Sequence, residues 1–187
     1  MTARPGLRRA IFLDRDGVLN APVVRNGRSH PPGRWENLEI LPGVAEACRI
    51  LKGQGLLLIA ATNQPDIARG SLAEAEVQRI NANLQGRLGL DDVLVCPHDD
   101  GDGCPCRKPR PGLLLAAARR HGIDLSSSVM VGDRWRDIDA GKAAGCRTVF
   151  VDWGYDEERP REPDLTVGSL AEAVPWILAS LEGKISP

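Results

Sequence analysis

The segment Leu56–Thr62 is apolar at every position up to its closing threonine, with no alternation of polar and apolar residues. A strand of that kind must be covered on both faces, as happens in parallel sheets flanked by helices. Ala10–Leu13 is a second run of the same character. Shorter strand signals follow at Asp92–Cys96, Ser128–Gly132, Arg147–Val151 and Leu165–Val167. Between them lie segments of helical periodicity. Pro42–Gln54 sets Val44, Ala47, Cys48 and Leu51 on one face, and Pro42 suits a first helical position. Leu72–Leu88 follows Ser71, a residue type that caps helix starts. Pro111–His121 and Ile138–Ala144 end at Gly122 and Gly145, and Leu170–Leu181 closes the series. This alternation predicts an α/β fold, a parallel sheet with helices on both faces.

At 187 residues the chain reads as a single domain, 1–187, able to bury a substantial core. A formal net charge of −1 offers no basis for holding nucleic acid or an anionic membrane surface. The longest apolar run, Leu56–Ala61, falls far short of the ~20 residues that span a bilayer. The apolar stretch behind the basic N-terminus, Ala10–Leu13, is too short for a secretory signal. The expectation is a cytoplasmic protein, monomeric or weakly oligomeric. Two segments lack regular periodicity, Asn20–Leu41 and Cys96–Pro111. Loops of this length tend to be functional. Neither is long enough for a separate capping domain, so a site beneath them should be open.

The run Ala10–Leu13 ends in Asp14-Arg15-Asp16-Gly17. Two carboxylates at the rim of a sheet need positive charge, and in open parallel sheets that rim is where ligands bind. Matching parts follow in order: Thr62 after the second apolar strand, Lys108 before a helix, and Asp133 after the strand Ser128–Gly132. Together they fit magnesium-dependent phosphoryl transfer. Asp14 is the candidate nucleophile, forming an aspartyl-phosphate that splits one hard step into two. Asp16, two residues on, can protonate the leaving oxygen and later deprotonate water. Mg²⁺ takes oxygen ligands, and Asp14, Asp16 and Asp133 are the candidate set. Thr62 offers a hydroxyl to the phosphoryl oxygens, and Lys108 supplies charge for the transition state. Taken singly, each element has a blander reading. Gly132-Asp133 followed by Asp137 is often no more than a helix N-terminus with favourable acids. Their common place on one sheet rim is what favours catalysis.

Five cysteines, with no signal for export, argue against a disulfide framework. Cys96, His98, Cys104 and Cys106 form C-x-H-x₅-C-x-C. Three thiolates and one imidazole make a closed tetrahedral zinc site of the structural kind. That site would pin the loop leading into Arg107 and Lys108. Cys48 and Cys146 fall on predicted helices and read as small core residues.

Asp14-Arg15-Asp16-Gly17, Thr62-Asn63-Gln64, Arg107-Lys108-Pro109 and Gly132-Asp133 resemble the four motifs of the haloacid dehalogenase (HAD) superfamily of phosphatases. Within it, Ile67-Ala68-Arg69-Gly70 and the segment Cys96-Pro97-His98 through Pro111-Gly112 resemble the heptose 1,7-bisphosphate phosphatases, with histidinol-phosphate phosphatases as near relatives. The resemblance spans about Ile11 to Val151. It implies a minimally capped Rossmann-like fold, Mg²⁺ dependence, the same four Zn²⁺ ligands, and removal of the C7 phosphate from a phosphorylated heptose. It also implies substrate contacts at Asn63 and Gln64, and recognition of the substrate by Arg107.

The chain departs from the pattern in places. Pro65 stands where some members carry Ser, removing a hydroxyl and an N–H. Asp66 replaces a frequent Gly, and Ala21-Pro22-Val23-Val24-Arg25 replaces an acidic and aromatic segment. Histidinol phosphate, another small phosphoester, and a non-catalytic zinc-stabilised binding module therefore stay open. Arg69 and Arg110 are weaker substrate contacts. Trp35 and Trp135 could line a pocket mouth, and His30 and His121 read as surface residues.

Overall fold

A computed structural model describes residues 6–25 and 28–182 of the chain, together with the backbone but not the side chains of residues 24, 25, 28 and 29. The side chains of Val24 and Arg25, named above as departures, therefore lie outside the described part. In chain order, β1 (Ala10–Leu13) leads to a hairpin of β2 (Val23–Arg25) and β3 (Arg28–His30). Then follow α1 (Val44–Gly53), β4 (Leu57–Asn63), α2 (Glu74–Leu88), β5 (Asp92–Cys96), α3 (Gly112–His121), β6 (Val129–Gly132), α4 (Trp135–Ala144), β7 (Arg147–Val151), β8 (Leu165–Val167) and α5 (Leu170–Leu181). Six strands form one sheet in the order β5-β4-β1-β6-β7-β8, every neighbouring pair parallel.

The chain enters this sheet in its middle, at β1, and builds outward through β4 and β5. It then crosses back to build outward again from β6. The direction of winding reverses between β1 and β6, and such a reversal opens a crevice beyond the strand C-termini. The Asp14 N–H donates to Val131 O at 2.9 Å, so Asp14 and Asp133 leave the sheet side by side.

Alternation along each strand divides the core in two. Ile11 and Leu13 of β1, with Leu58 and Ala60 of β4, face α1, α2 and α5. Phe12, Ile59 and Met130 face the opposite layer, where α3 contributes Leu113, Leu114 and Ala117. Each large apolar side chain so buried contributes roughly 1.5–3 kcal/mol. The α1 face is the one read from periodicity: Val44, Ala47, Cys48 and Leu51 are all buried.

Boundaries shift for local reasons. α1 begins at Val44 because Gly43 is left-handed at φ 76°. α2 begins at Glu74 rather than Leu72, because the N–H groups of Ser71 and Leu72 both turn back to Asp66 O. Its cap position is Ala73, so Ser71 does not cap it. α4 starts at Trp135, three residues ahead of Ile138, since the Asp137 carboxylate accepts the N–H of Arg134 at 3.0 Å. The segment Asn20–Leu41 holds the β2–β3 hairpin and a short 3₁₀ turn at Trp35–Asn37, so it is not wholly irregular. Cys146 lies between α4 and β7 rather than on a helix, and it is buried like Cys48. Among the described residues no helix is long and apolar enough to cross a membrane.

Candidate active site

Asp14, Thr62, Lys108 and Asp133 meet at the C-terminal ends of β1, β4 and β6, all four buried. Lys108 Nζ donates to Asp14 Oδ1 at 2.7 Å and to Ala61 O at 2.7 Å, and pairs with Asp137 Oδ1 at 2.5 Å. Burial alone would lower the pKa of the ammonium. The carboxylates of Asp137 and Asp14 outweigh it, and the pKa of Lys108 stands above its ordinary value. Burial pushes the Asp14 carboxyl up to about 6 even though Lys108 pulls it down, with Asp137 and Asp16 adding to the rise.

Asp133 tests whether a cation belongs here. It is 1 % exposed, and neither of its oxygens accepts a well-formed hydrogen bond. Burial drives its carboxyl well above the usual range, and Asp14 and Asp137 push the same way. The Tyr155 hydroxyl and the Arg134 charge pull the other way without outweighing that rise, and a buried carboxyl so sparsely partnered is costly unless a cation meets it. The carboxylates of Asp14, Asp133 and Asp137 offer oxygens all within 4.8 Å of one another. This hard, all-oxygen donor set fits a divalent cation of the Mg²⁺ type. The turn Asp16-Gly17 wraps this cluster closely. Gly17 has φ +90°, and a Cβ there would sit 2.0 Å from Asp133 Oδ2.

The Asp16 side chain stands outside that carboxylate cluster. Its Oδ2 accepts from Arg15 Nη2 at 2.9 Å and Gln64 Nε2 at 3.0 Å, and its Oδ1 from Asn20 Nδ2 at 2.9 Å. Asp137, quoted above only as a helix-start acid, takes its place beside Asp14 and Asp133. It does cap α4, but the same carboxylate also holds Lys108. The signal for this lay in Lys108: a buried ammonium among several acids needs more than one partner.

Asn63 lines the cavity above the site, and both it and Gln64 also hold the machinery in place. The Asn63 amide brackets the Lys108 backbone, accepting its N–H at 3.1 Å and donating to its carbonyl at 3.0 Å. Gln64 is fully buried, with Nε2 on Asp16 and on Thr62 Oγ1 at 2.9 Å and its backbone N–H on Cys96 O.

Above the floor opens a cavity of about 640 Å³. Asp14, Thr62 and Lys108 lie at its base, and Arg69, Arg107, Arg134 and Arg136 line it with Trp135 and His30. His30, read above as a surface residue, thus belongs to the cavity wall, whereas Trp35 does not line it. Each arginine meets an acid: Arg69 forks onto Asp99 at 2.6 and 2.7 Å, and Arg134 onto Glu157 at 2.9 and 2.7 Å. Arg110 turns away, to Cys104 O at 2.5 Å. The chain beyond β7 closes one side, where Trp153 Nε1 donates to Gly17 O at 2.8 Å and its ring stacks on Tyr155.

Cys96, His98, Cys104 and Cys106 gather beside the cavity, and all five cysteines of the chain are free thiols. Cys106 Sγ lies 3.1 Å from Cys96, 3.4 Å from Cys104 and 3.3 Å from His98 Nδ1, while Cys96 lies 3.6 Å from both Cys104 and His98 Nδ1. Zn–S bonds of ~2.3 Å imply tetrahedron edges of roughly 3.7 Å, so the four donors fit one zinc ion with a slight expansion. Arg107 leaves this loop with Nη1 on His98 O at 3.0 Å, so the cluster fixes its guanidinium.

The profile of a family described as HAD-hydrolase-like matches residues 105–173. A D-glycero-D-manno-heptose-1,7-bisphosphate 7-phosphatase of Thermosynechococcus vestitus is 38% identical over 93% of this chain and 97% of its own length. The D-glycero-beta-D-manno-heptose-1,7-bisphosphate 7-phosphatase of Escherichia coli K12 is 37% identical over 92% of this chain and 89% of its own. Among solved structures, the D,D-heptose 1,7-bisphosphate phosphatase of B. bronchiseptica, complexed with magnesium and phosphate, matches with a TM-score of 0.75 at 30% identity. It covers 92% of this chain and 99% of its own. Fold, site and relatives together define a HAD-like hydrolase of phosphoric monoesters. Within that class the chain belongs to the family of the heptose-1,7-bisphosphate 7-phosphatases.

Proposed function

We propose that the chain hydrolyses the C7 phosphate of D-glycero-D-manno-heptose 1,7-bisphosphate through an aspartyl-phosphate on Asp14. The observation that carries this reading is the buried Asp14–Lys108 pair next to Asp133, whose oxygens accept no well-formed hydrogen bond, at the base of an arginine-lined cavity. Relatives named for that reaction, aligned over nine-tenths of the chain, support the choice of substrate.

Lys108 engages Asp14 Oδ1, which leaves Oδ2 to attack phosphorus. As the bond from phosphorus to the sugar oxygen breaks, Asp16 gives that oxygen a proton. Asp16 then takes a proton from the water that attacks the aspartyl-phosphate, releasing inorganic phosphate and restoring both carboxyl groups. Arg15, Asn20 and Gln64 hold Asp16 in place for both steps. The Thr62 hydroxyl and the Lys108 ammonium stabilise the charge on the phosphoryl oxygens. Asp14 and Asp133, with Asp137 beside them, would hold Mg²⁺. Bound there, the cation offsets repulsion among the carboxylates and draws charge from the phosphoryl group. Zn²⁺ on Cys96, His98, Cys104 and Cys106 is structural in this reading, steadying Arg107 for substrate recognition. The enzyme works in the cytoplasm as a monomer or weak oligomer, without nucleic acid or membrane.

The test is phosphate release from both anomers of the heptose bisphosphate and from histidinol phosphate. One heptose anomer should exceed histidinol phosphate in kcat/KM by at least about tenfold. Asp14→Asn should abolish release with fold and zinc content intact. Equal or faster turnover of histidinol phosphate would move the assignment to that substrate. Silence toward every ester would leave only a zinc-stabilised binding module.

A further inference from the structure

Past Val151, where the resemblance of motifs ends, the segment between β7 and β8 passes the carboxylate cluster. Every second residue of it, from Trp153 to Glu157, meets a group beside that cluster. Trp153 Nε1 donates to Gly17 O at 2.8 Å, on the turn where a Cβ would collide with Asp133 Oδ2. Tyr155 stacks on Trp153 with ring centroids 6.5 Å apart and planes 7° from parallel, and its hydroxyl oxygen is buried. Glu157 forks onto Arg134, the residue after Asp133, at 2.9 and 2.7 Å. Tyr155, Glu157, Asp133 and Arg134 line one small pocket. The phenol is thus held from two directions, by the Trp153 ring and by the Glu157 anchor two residues on. Burial raises the Asp133 carboxyl, and the Tyr155 hydroxyl pulls against that rise.

We propose that Tyr155 is a positioning residue of the cation site, its hydroxyl steadying the Asp133 carboxylate among Asp14 and Asp137 for Mg²⁺. A phenol suits this task because it donates without bringing a charge. It can orient a carboxylate and leave the negative charge for the metal, which an arginine or lysine in its place would neutralise. Glu157 assists by occupying the Arg134 guanidinium, so that this neighbouring charge does not take the cation's place. Outer partners of this kind set the orientation and basicity of a ligand, and hence metal affinity. The inference rests on the Mg²⁺ reading above and deepens it by naming what orients the ligand carried by β6.

Tyr155→Phe keeps the stacked ring and removes only the hydroxyl. Calorimetry without substrate should show Mg²⁺ bound about tenfold more weakly, the loss expected when an outer partner of a metal ligand is removed. The Mg²⁺ concentration that gives half-maximal release from p-nitrophenyl phosphate should rise by the same factor. The increase in urea midpoint that Mg²⁺ confers should shrink in step, because weaker binding adds less to stability at a given concentration. Zinc content should not change. Tyr155→Leu, which loses the stack as well, should bind Mg²⁺ no more tightly than Tyr155→Phe. Parent-like Mg²⁺ affinity in Tyr155→Phe would overturn the proposal, and a loss confined to Tyr155→Leu would reduce the ring to packing. A parent protein that neither binds Mg²⁺ nor releases phosphate from p-nitrophenyl phosphate would overturn the cation reading itself, and this inference with it.

Discussion

Gly17 is where a single carbon decides whether the carboxylate cluster can assemble. Its φ of +90° strains any side chain, and a Cβ would collide with Asp133 Oδ2. Gly17→Ala should therefore cost about 1–3 kcal/mol in urea denaturation and weaken Mg²⁺ binding by calorimetry. Unaltered Mg²⁺ affinity would remove Asp133 from the ligand set. Asp137 carries a second prediction. Asp137→Asn leaves Asp14 as the one carboxylate paired with Lys108 among the described residues, so kcat should fall on the order of 100-fold with KM little changed, measured by phosphate release. A fall confined to KM would assign Asp137 to the substrate instead. At this scale the sequence was only partly legible. Asp14, Thr62, Lys108 and Asp133 stand out because each ends a strand or precedes a helix. Asp137 hides because one carboxylate does two jobs, and the common one, helix capping, explains it fully. Asn63 and Gln64 carry more than the sequence showed: read there as ligand contacts, they also brace Lys108, Asp16 and Thr62, while Asn63 lines the cavity.

Among the elements, the zinc loop and the α3 terminus are the informative joints. The loop from Cys96 to Pro111 has little regular structure of its own, so its order depends on the cluster. Cys104→Ser, or a chelator, should lower zinc content below one per chain by metal analysis and raise KM through Arg107. Full zinc occupancy in that variant would refute the ligand set. At the other end of β5, Asp92 Oδ2 takes Arg120 Nη1 and His121 Nε2, each at 2.8 Å, tying the strand's start to the end of α3. Burial alone would raise the Asp92 carboxyl, but the bonds from His121, Arg120 and the Val93 N–H hold it below its ordinary value. A depressed folded value adds stability above the unfolded one, ~3.9, and that stability is lost as pH falls through the depressed value. Asp92→Asn should thus cost about 1 kcal/mol at pH 7, and the gap to the parent should narrow as pH drops below ~4. A gap that stays constant with pH would deny the ionised carboxylate its role. Elements were legible in type and inexact in start, because caps such as Gly43 and the Asp66 turn depend on contacts that periodicity does not show.

For the whole molecule, the decisive feature is the reversal between β1 and β6. It sets Asp14 beside Asp133, more than a hundred positions later, in one crevice, and the parallel sheet with helices on both faces that it requires was legible in the alternation of apolar runs with helices. Strand order, by contrast, needs the two core layers that Ile11 and Phe12 separate. Because the cluster spans both halves of the sheet, a cation bound there should stabilise the fold as a unit. At about 100 times its dissociation constant, Mg²⁺ should add about 2.7 kcal/mol and raise Tm by roughly 5–10 °C in calorimetry. A local effect only, with Tm unmoved, would separate the site from the fold. The Trp153 indole, hydrogen-bonded to Gly17 O and stacked on Tyr155, rests on the turn that wraps the carboxylate cluster. The molecule thereby contains its own optical reporter. Divalent-cation titration should alter tryptophan emission, and Trp153→Phe should abolish most of that signal while hydrolysis persists.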